Sequence, residues 1–110
     1  TRLACLRDLG RHCKQVSPGL PTLISPYIAG RKATSAAVSL DDHTGDWDGI
    51  LAALEGVVDT VAFQDGHVDY DELPAFLSAN SALIAKHGMH AWSNVESFDR
   101  DMPFRFPPID

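Results

Sequence analysis

Three apolar runs of strand length, "TLISPYI", "TVAFQDG" and "MHAWSNVESF", alternate along this chain with stretches in which apolar residues recur every three or four positions. No other feature restricts the fold as much. A run of β-branched and aromatic residues a few positions long is a strand, and a three-to-four repeat is the inward stripe of an amphipathic helix. The order is helix, strand, helix, strand, helix, strand. That alternation is the signature of parallel β/α units, in which each helix carries the chain back across the sheet by a right-handed crossover.

The first helix is predicted from Thr1 to about Val16, with Leu3, Leu6, Leu9, Cys13 and Val16 on one face. "SPGLP" then breaks it. The strand near residues 22–28 has no polar face, so it is expected to be covered on both sides. From Ala29 to about Asp46 the chain is polar and rich in small residues, a length that suits a functional loop or lid better than a plain connector. A second helix is expected to start near Asp46 as N-cap and to turn Trp47, Ile50, Leu51, Leu54 and Val57 or Val58 inward. The second strand lies near residues 58–65. The third helix is expected to begin near Asp69 to Asp71, with acids in its first turn, Pro74 early enough to be tolerated, and Leu73, Phe76, Leu77, Leu83 and Ile84 on one face. It ends at "KHG", where His87 falls in the last turn and Gly88 suits a left-handed cap. The third strand is expected near residues 89–96.

One stretch invites a different reading. "DGHVDYDEL" copies the second half of a calcium-binding helix-loop-helix, with Gly66 at the sharp turn and Glu72 at the last ligand position. That register puts Val61 and Phe63 where the first two oxygen ligands belong, and "VDTVAF" is a strand where a helix is required. The acids are therefore read as a strand tip, a short loop and a charged helix start.

At 110 residues with 45% apolar content, the chain suffices for one domain or part of one. The start at Thr1, without an initiator Met, and the close on "FPPID" read as those of a fragment or a processed chain. The net charge of -6, with Lys and Arg scattered, argues against a nucleic-acid surface. No apolar run is long enough for a transmembrane helix. Cys5 and Cys13, eight positions apart on one helix, would have Cα atoms about 12 Å apart, too far for a disulfide. They read as buried free thiols and do not report a compartment. His67, His87 and His90 form no i, i+4 pair on a helix, so neither a metal nor any other cofactor is expected. The acids of "DDHTGDWD" read as a solvated loop and helix-start charges.

In parallel β/α proteins, ligands bind beyond the carboxyl ends of the strands. Those ends carry Ser25 and Tyr27, then Gln64 and Asp65, then Trp92, Asn94 and Glu96. The two-residue period of the third strand places Trp92, Asn94 and Glu96 on one wall. A flat apolar plane, amides and carboxylates are what a sugar site needs for the ring, the hydroxyls and the anomeric carbon. Plainer readings stand beside this one: Glu96 as a solvated acid, Trp92 as core, Asp65 as a turn or helix cap.

"LISPYIAGR", "VAFQDG" and "WSNVESF", in this order and at these separations, resemble the later strands of a bacterial family of glycoside hydrolase-like proteins, domain-of-unknown-function family 4434. The resemblance spans nearly the whole chain and implies the carboxyl-terminal half of an eightfold (β/α) barrel. It makes the first strand about the fifth of that barrel and "HAWSNVESF" about the seventh. It also implies Glu96 as the nucleophile or acid/base, with Asp65 and Gln64 beside it as assisting or substrate-contacting groups. Ser25, Tyr27, Trp92 and Asn94 would line an oligosaccharide or polysaccharide site, in a secreted or periplasmic setting. One departure is large: such a barrel takes about 250 residues, so residues 1–110 form a single incomplete barrel domain lacking the strand that should supply the partner acid. The isolated chain is expected to be a weak catalyst or none. The alternatives are a non-catalytic carbohydrate-binding or scaffold domain, and self-association through open sheet edges.

Overall fold

The computed structural model describes residues 1–95. Helix α1 spans Arg2–Val16, strand β1 Leu23–Ile24, a 3₁₀ segment Arg31–Ala36, α2 Leu40–Leu54, β2 Thr60–Gln64, α3 Leu73–Lys86 and β3 His90–Asn94. The strands form one parallel sheet in the order β1-β2-β3, with Ile24 beside Val61, Thr60 beside His90 and Gln64 beside Asn94. The predicted alternation is therefore present. "TVAFQ" is a strand, so no helix precedes the "DGHVDYDEL" loop.

Strand β1 is shorter than the expected 22–28, because Pro26 has no N–H to give the ladder. The run still follows β2. Gln64 N–H donates to Pro26 O at 2.8 Å, Ile28 N–H donates to Gln64 O at 3.0 Å, and Tyr27 bridges Gln64.

Helix α2 begins at Leu40, six residues before the expected start. The N-cap is Ser39, whose hydroxyl accepts the Asp42 N–H at 3.1 Å, with Asp41 and Asp42 in the first turn complementing the helix dipole. The stretch expected to be a loop is thus shortened, and His43 becomes part of the inward stripe with Trp47, Leu51 and Leu54. Helix α3 starts at Leu73 rather than at Asp69 to Asp71; those acids belong to a turn in which Leu73 N–H reaches Asp69 O at 3.0 Å. Its end is as expected, with Gly88 at φ +70°.

The core lies on one side of the sheet. Val61 and Phe63 of β2 pack with Ile28, with Leu51 and Leu54 of α2, and with Phe76 and Ile84 of α3, all nearly or fully buried. Each such side chain contributes about 1.5–3 kcal/mol by leaving water. His43 is inside this core, 3% exposed, with its ring against Trp47, Phe63 and Phe76, and with Nε2 2.7 Å from Asn80 Oδ1. Burial in that apolar setting pushes the His43 imidazole below its ordinary range.

Two expectations about covering fail. The alternate positions Leu23, Thr60, Ala62, Gln64, His90, Trp92 and Asn94 form the sheet face opposite α2 and α3, where Leu23 is 48% and Trp92 65% exposed. That face mixes apolar Leu23, Ala62 and Trp92 with polar Thr60, Gln64, His90 and Asn94, and among the described residues only the other face has helices on it. Helix α1 likewise turns little of its stripe inward: Leu3 reaches the core, while Leu9 and Val16 are exposed. It docks instead through Gly10, which sits against Val57, and through an ion pair of Lys14 with Asp59. The Lys14 ammonium, and then the Thr22 N–H at 2.6 Å, hold the Asp59 carboxyl below its usual range. Cys5 is exposed and Cys13, which shares the docking side of the helix with Gly10 and Lys14, is only partly covered, so neither is the buried thiol expected.

Candidate functional site at the strand ends

At the carboxyl ends of the strands, on the helix-free face, three of the predicted site residues meet. The Ser25 hydroxyl donates to Ala62 O at 3.0 Å. Gln64 Nε2 donates to Ser25 O at 2.8 Å and to Ser25 Oγ at 3.2 Å. Asn94 Nδ2 donates to Ser25 Oγ at 2.6 Å and to Ala62 O at 3.3 Å. Strand register brings this about: Gln64 and Asn94 are direct partners, and in the same register Ser25 comes alongside Ala62. In a parallel sheet, paired residues project to one face.

Trp92 pairs with Ala62, two residues before Asn94, and so lies on the same wall with its ring in solvent. Among the described residues it is not part of the core cluster. Tyr27 is also exposed, with its ring centroid 5.5 Å from that of His67 in the following loop, at the rim of the cluster rather than within it. Asp65 follows β2 directly and opens a turn closed by Val68 N–H on Asp65 O at 2.9 Å. Glu96 lies outside the described residues.

The two loops behind the cluster are clamped together. Arg31 reaches across to pair with Asp69, Asp71 and Glu72, and its backbone N–H donates to Glu72 Oε2 at 3.0 Å. The same carboxylate accepts Asp69 N–H at 3.0 Å. Arg31 holds the Asp71 carboxyl below its usual range, and Asp71 holds the guanidinium proton more firmly still. Gly30 permits the approach, since a Cβ there would stand 2.7 Å from His67 O. These acids, which resemble a calcium loop in sequence, have Arg31 as their counter-charge.

Two clefts flank the cluster. The larger, about 520 Å³, lies at the amino ends of the strands between Lys14, Leu20, Leu23, Thr60, His90 and Trp92. Its position disfavours it as a reaction site in a parallel β/α protein, where loops at the other end carry the chemistry. The smaller, about 390 Å³, opens beside Tyr27 and Trp47, with His43 and Asp46 in its wall. His43 and Asn80 are the buried polar pair that sequence reading missed; the signal was Ser39 followed by two acids, which starts α2 early and puts His43 four residues before Trp47 on the inward stripe. Among the described residues, no three His, Cys, Asp or Glu side chains come together as a metal site. No helix of the described residues is long and apolar enough to cross a membrane.

These features define an α/β chain of parallel β/α units with a polar cluster where its strands end. The chain belongs to the family described as a domain of unknown function, DUF4434, which matches residues 2–110. A crystal structure of a protein described as a putative alpha-L-fucosidase, from Bacteroides thetaiotaomicron, is similar over 98% of this chain, with 52% identity and a TM-score of 0.88. The match covers 34% of that protein, so this chain spans about a third of its length. No curated protein matches the sequence.

Proposed function

We propose that residues 1–110 are consecutive β/α units of a larger TIM-type barrel, forming one incomplete domain of a glycoside hydrolase-like protein. The observation that carries this reading is the winding. The strands run in sequential order, and both crossover helices that connect them pack on one face. A doubly wound sheet reverses its strand order and has helices on both faces, whereas a closed barrel keeps to one direction and encloses the other face. The helix-free wall of Leu23, Thr60, Ala62 and Trp92 is then the barrel interior, and Ser25, Gln64 and Asn94 stand at its mouth. The likeness to a protein described as a fucosidase supports a sugar as the ligand at that mouth.

In this reading Trp92 gives the sugar ring an apolar plane, while Gln64 and Asn94 meet hydroxyls and Tyr27 borders the site. Glu96, two positions beyond Asn94 in the sequence, serves as nucleophile or acid/base. Asp65 assists from the neighbouring strand end. The partner carboxylate comes from a part of the barrel outside this chain. The test is hydrolysis of an aryl α-L-fucoside by the complete protein and by its Glu96→Gln variant. The variant should lose a factor of about 10³ in kcat, as removal of a glycosidase carboxyl entails. The 110-residue chain alone should have little or no activity. An unchanged rate in the Glu96→Gln protein would sink the assignment.

A further inference from the structure

The hydrogen bonds around Ser25 have a definite polarity. Ser25 O and Ala62 O are carbonyls and can only accept, so the amide ends that face them must be the NH₂ groups of Gln64 and Asn94. The Ser25 hydroxyl has one proton, and that proton is directed at Ala62 O at 3.0 Å. Its oxygen then takes N–H bonds from Gln64 at 3.2 Å and Asn94 at 2.6 Å, which fills both lone pairs. The hydroxyl is saturated and has nothing left for a ligand. Among the described residues, the carbonyl oxygens Gln64 Oε1 and Asn94 Oδ1 have no partner.

We infer that Ser25 is a positioning residue, and that it sets Gln64 and Asn94 to present a pair of acceptor oxygens to two hydroxyls on neighbouring carbons of a ligand. Gln64 and Asn94 are register partners on adjacent strands, whose backbones run about 4.8 Å apart. A single hydroxyl has one proton and cannot donate to both. Two neighbouring hydroxyls can each give one acceptor an O–H···O bond of about 2.8 Å. With both NH₂ groups turned inward, the pair selects ligands that donate and discriminates against those that only accept, such as ethers. This inference rests on the saccharide reading of the site and narrows it to the hydroxyl pair as the recognised group.

The test is NMR titration of the ¹⁵N-labelled complete protein, following the side-chain amide signals of Gln64 and Asn94. The probes are methyl α-L-fucopyranoside and its tri-O-methyl ether, which keeps the ring but has no O–H. The fucoside should shift both amide signals saturably, and the ether should bind at least about tenfold more weakly, as the loss of two hydrogen bonds implies. Ser25→Ala should weaken fucoside binding about tenfold, and Ser25→Thr, which keeps the hydroxyl, should restore it. Equal binding of the ether, wild-type binding by Ser25→Ala, or no saturable shift at these amides overturns the inference. If the expected pattern appears but the complete protein cleaves no glycoside, the hydrolase reading falls and the acceptor pair stands. If the complete protein cleaves glycosides with Ser25→Ala and the ether behaving like their parents, the reverse holds.

Discussion

Replacing Gly30 and replacing Gly49 by alanine add the same methyl group and should move stability in opposite directions. Gly30 is buried where the loop after β1 meets the loop after β2. An added Cβ would stand 2.7 Å from His67 O and 2.9 Å from Val68 Cα, where 3.4 Å is an ordinary contact. The overlap with His67 O is about 0.7 Å, and both neighbours are backbone, so relief requires the two loops to separate. Overpacking of this kind costs about 1–3 kcal/mol, and here it also strains the Arg31 clamp on Asp69, Asp71 and Glu72. Gly49 sits on the exposed side of α2, with nothing within 4 Å of its would-be Cβ. Alanine there gains the helix propensity that glycine forgoes, about 0.5–1 kcal/mol. The assay is urea unfolding of the three proteins followed by circular dichroism, with midpoints compared at equal slope. The expected order is Gly49→Ala above the unmodified chain and Gly30→Ala below it, with a gap between the variants of about 1.5–4 kcal/mol. A Gly30→Ala protein as stable as the parent would show that the loops are not held in this contact.

His87 should impose an alkaline limit on stability. Its ring nitrogens face Glu55 Oε1 at 2.6 Å and Asp48 Oδ1 at 2.7 Å, two acceptors that only the doubly protonated ring can serve, and those carboxylates, Glu55 before Asp48, raise its pKa. The stabilisation is complete below about pH 6.5, the ordinary histidine value, and disappears as pH rises through the raised folded-state value; His87→Gln should flatten that limb of a pH series of melting temperatures. His43 acts with the opposite sign: burial lowers its pKa, so stability falls as pH drops below about 6.5 and through the folded-state value. That acid limb should persist in His87→Gln. Asn80→Ala removes the acceptor of the buried His43 ring and should cost about 1–3 kcal/mol in urea unfolding. Phe63→Ala, which empties the contact between β2, Trp47 and His43, should cost about 3–5 kcal/mol by the same measurement.

Legibility in the sequence followed how local each signal is. The alternation of strands and helices and the end of α3 at Gly88 follow from short-range periodicity and were readable, as was the position of Gln64 and Asn94 at strand ends; their pairing needs the register. The start of α2 was missed because Asp41, Asp42, Thr44 and Gly45 look like loop, although Ser39 supplies a cap and His43 continues the apolar stripe from inside the core. The docking of α1 through Gly10 and Lys14 was not readable, since a glycine facing Val57 and a lysine facing Asp59 become meaningful only when distant segments meet. At the site, residue types and strand positions indicated a polar cluster; the saturation of Ser25 depends on three hydrogen bonds to two other strands and left no trace in the order of residues. Glu96 lies outside the described residues, so its role is argued from strand period and family resemblance.

The most direct test of the account is a crystal structure of the complete protein with a saccharide bound. The account predicts the sugar at the carboxyl ends of the strands, its ring against Trp92, two neighbouring hydroxyls on Gln64 Oε1 and Asn94 Oδ1, and the Glu96 carboxyl at the anomeric carbon. A sugar seated in the cleft at the amino ends, among Lys14, Leu20 and His90, with the Ser25 cluster untouched, would contradict it.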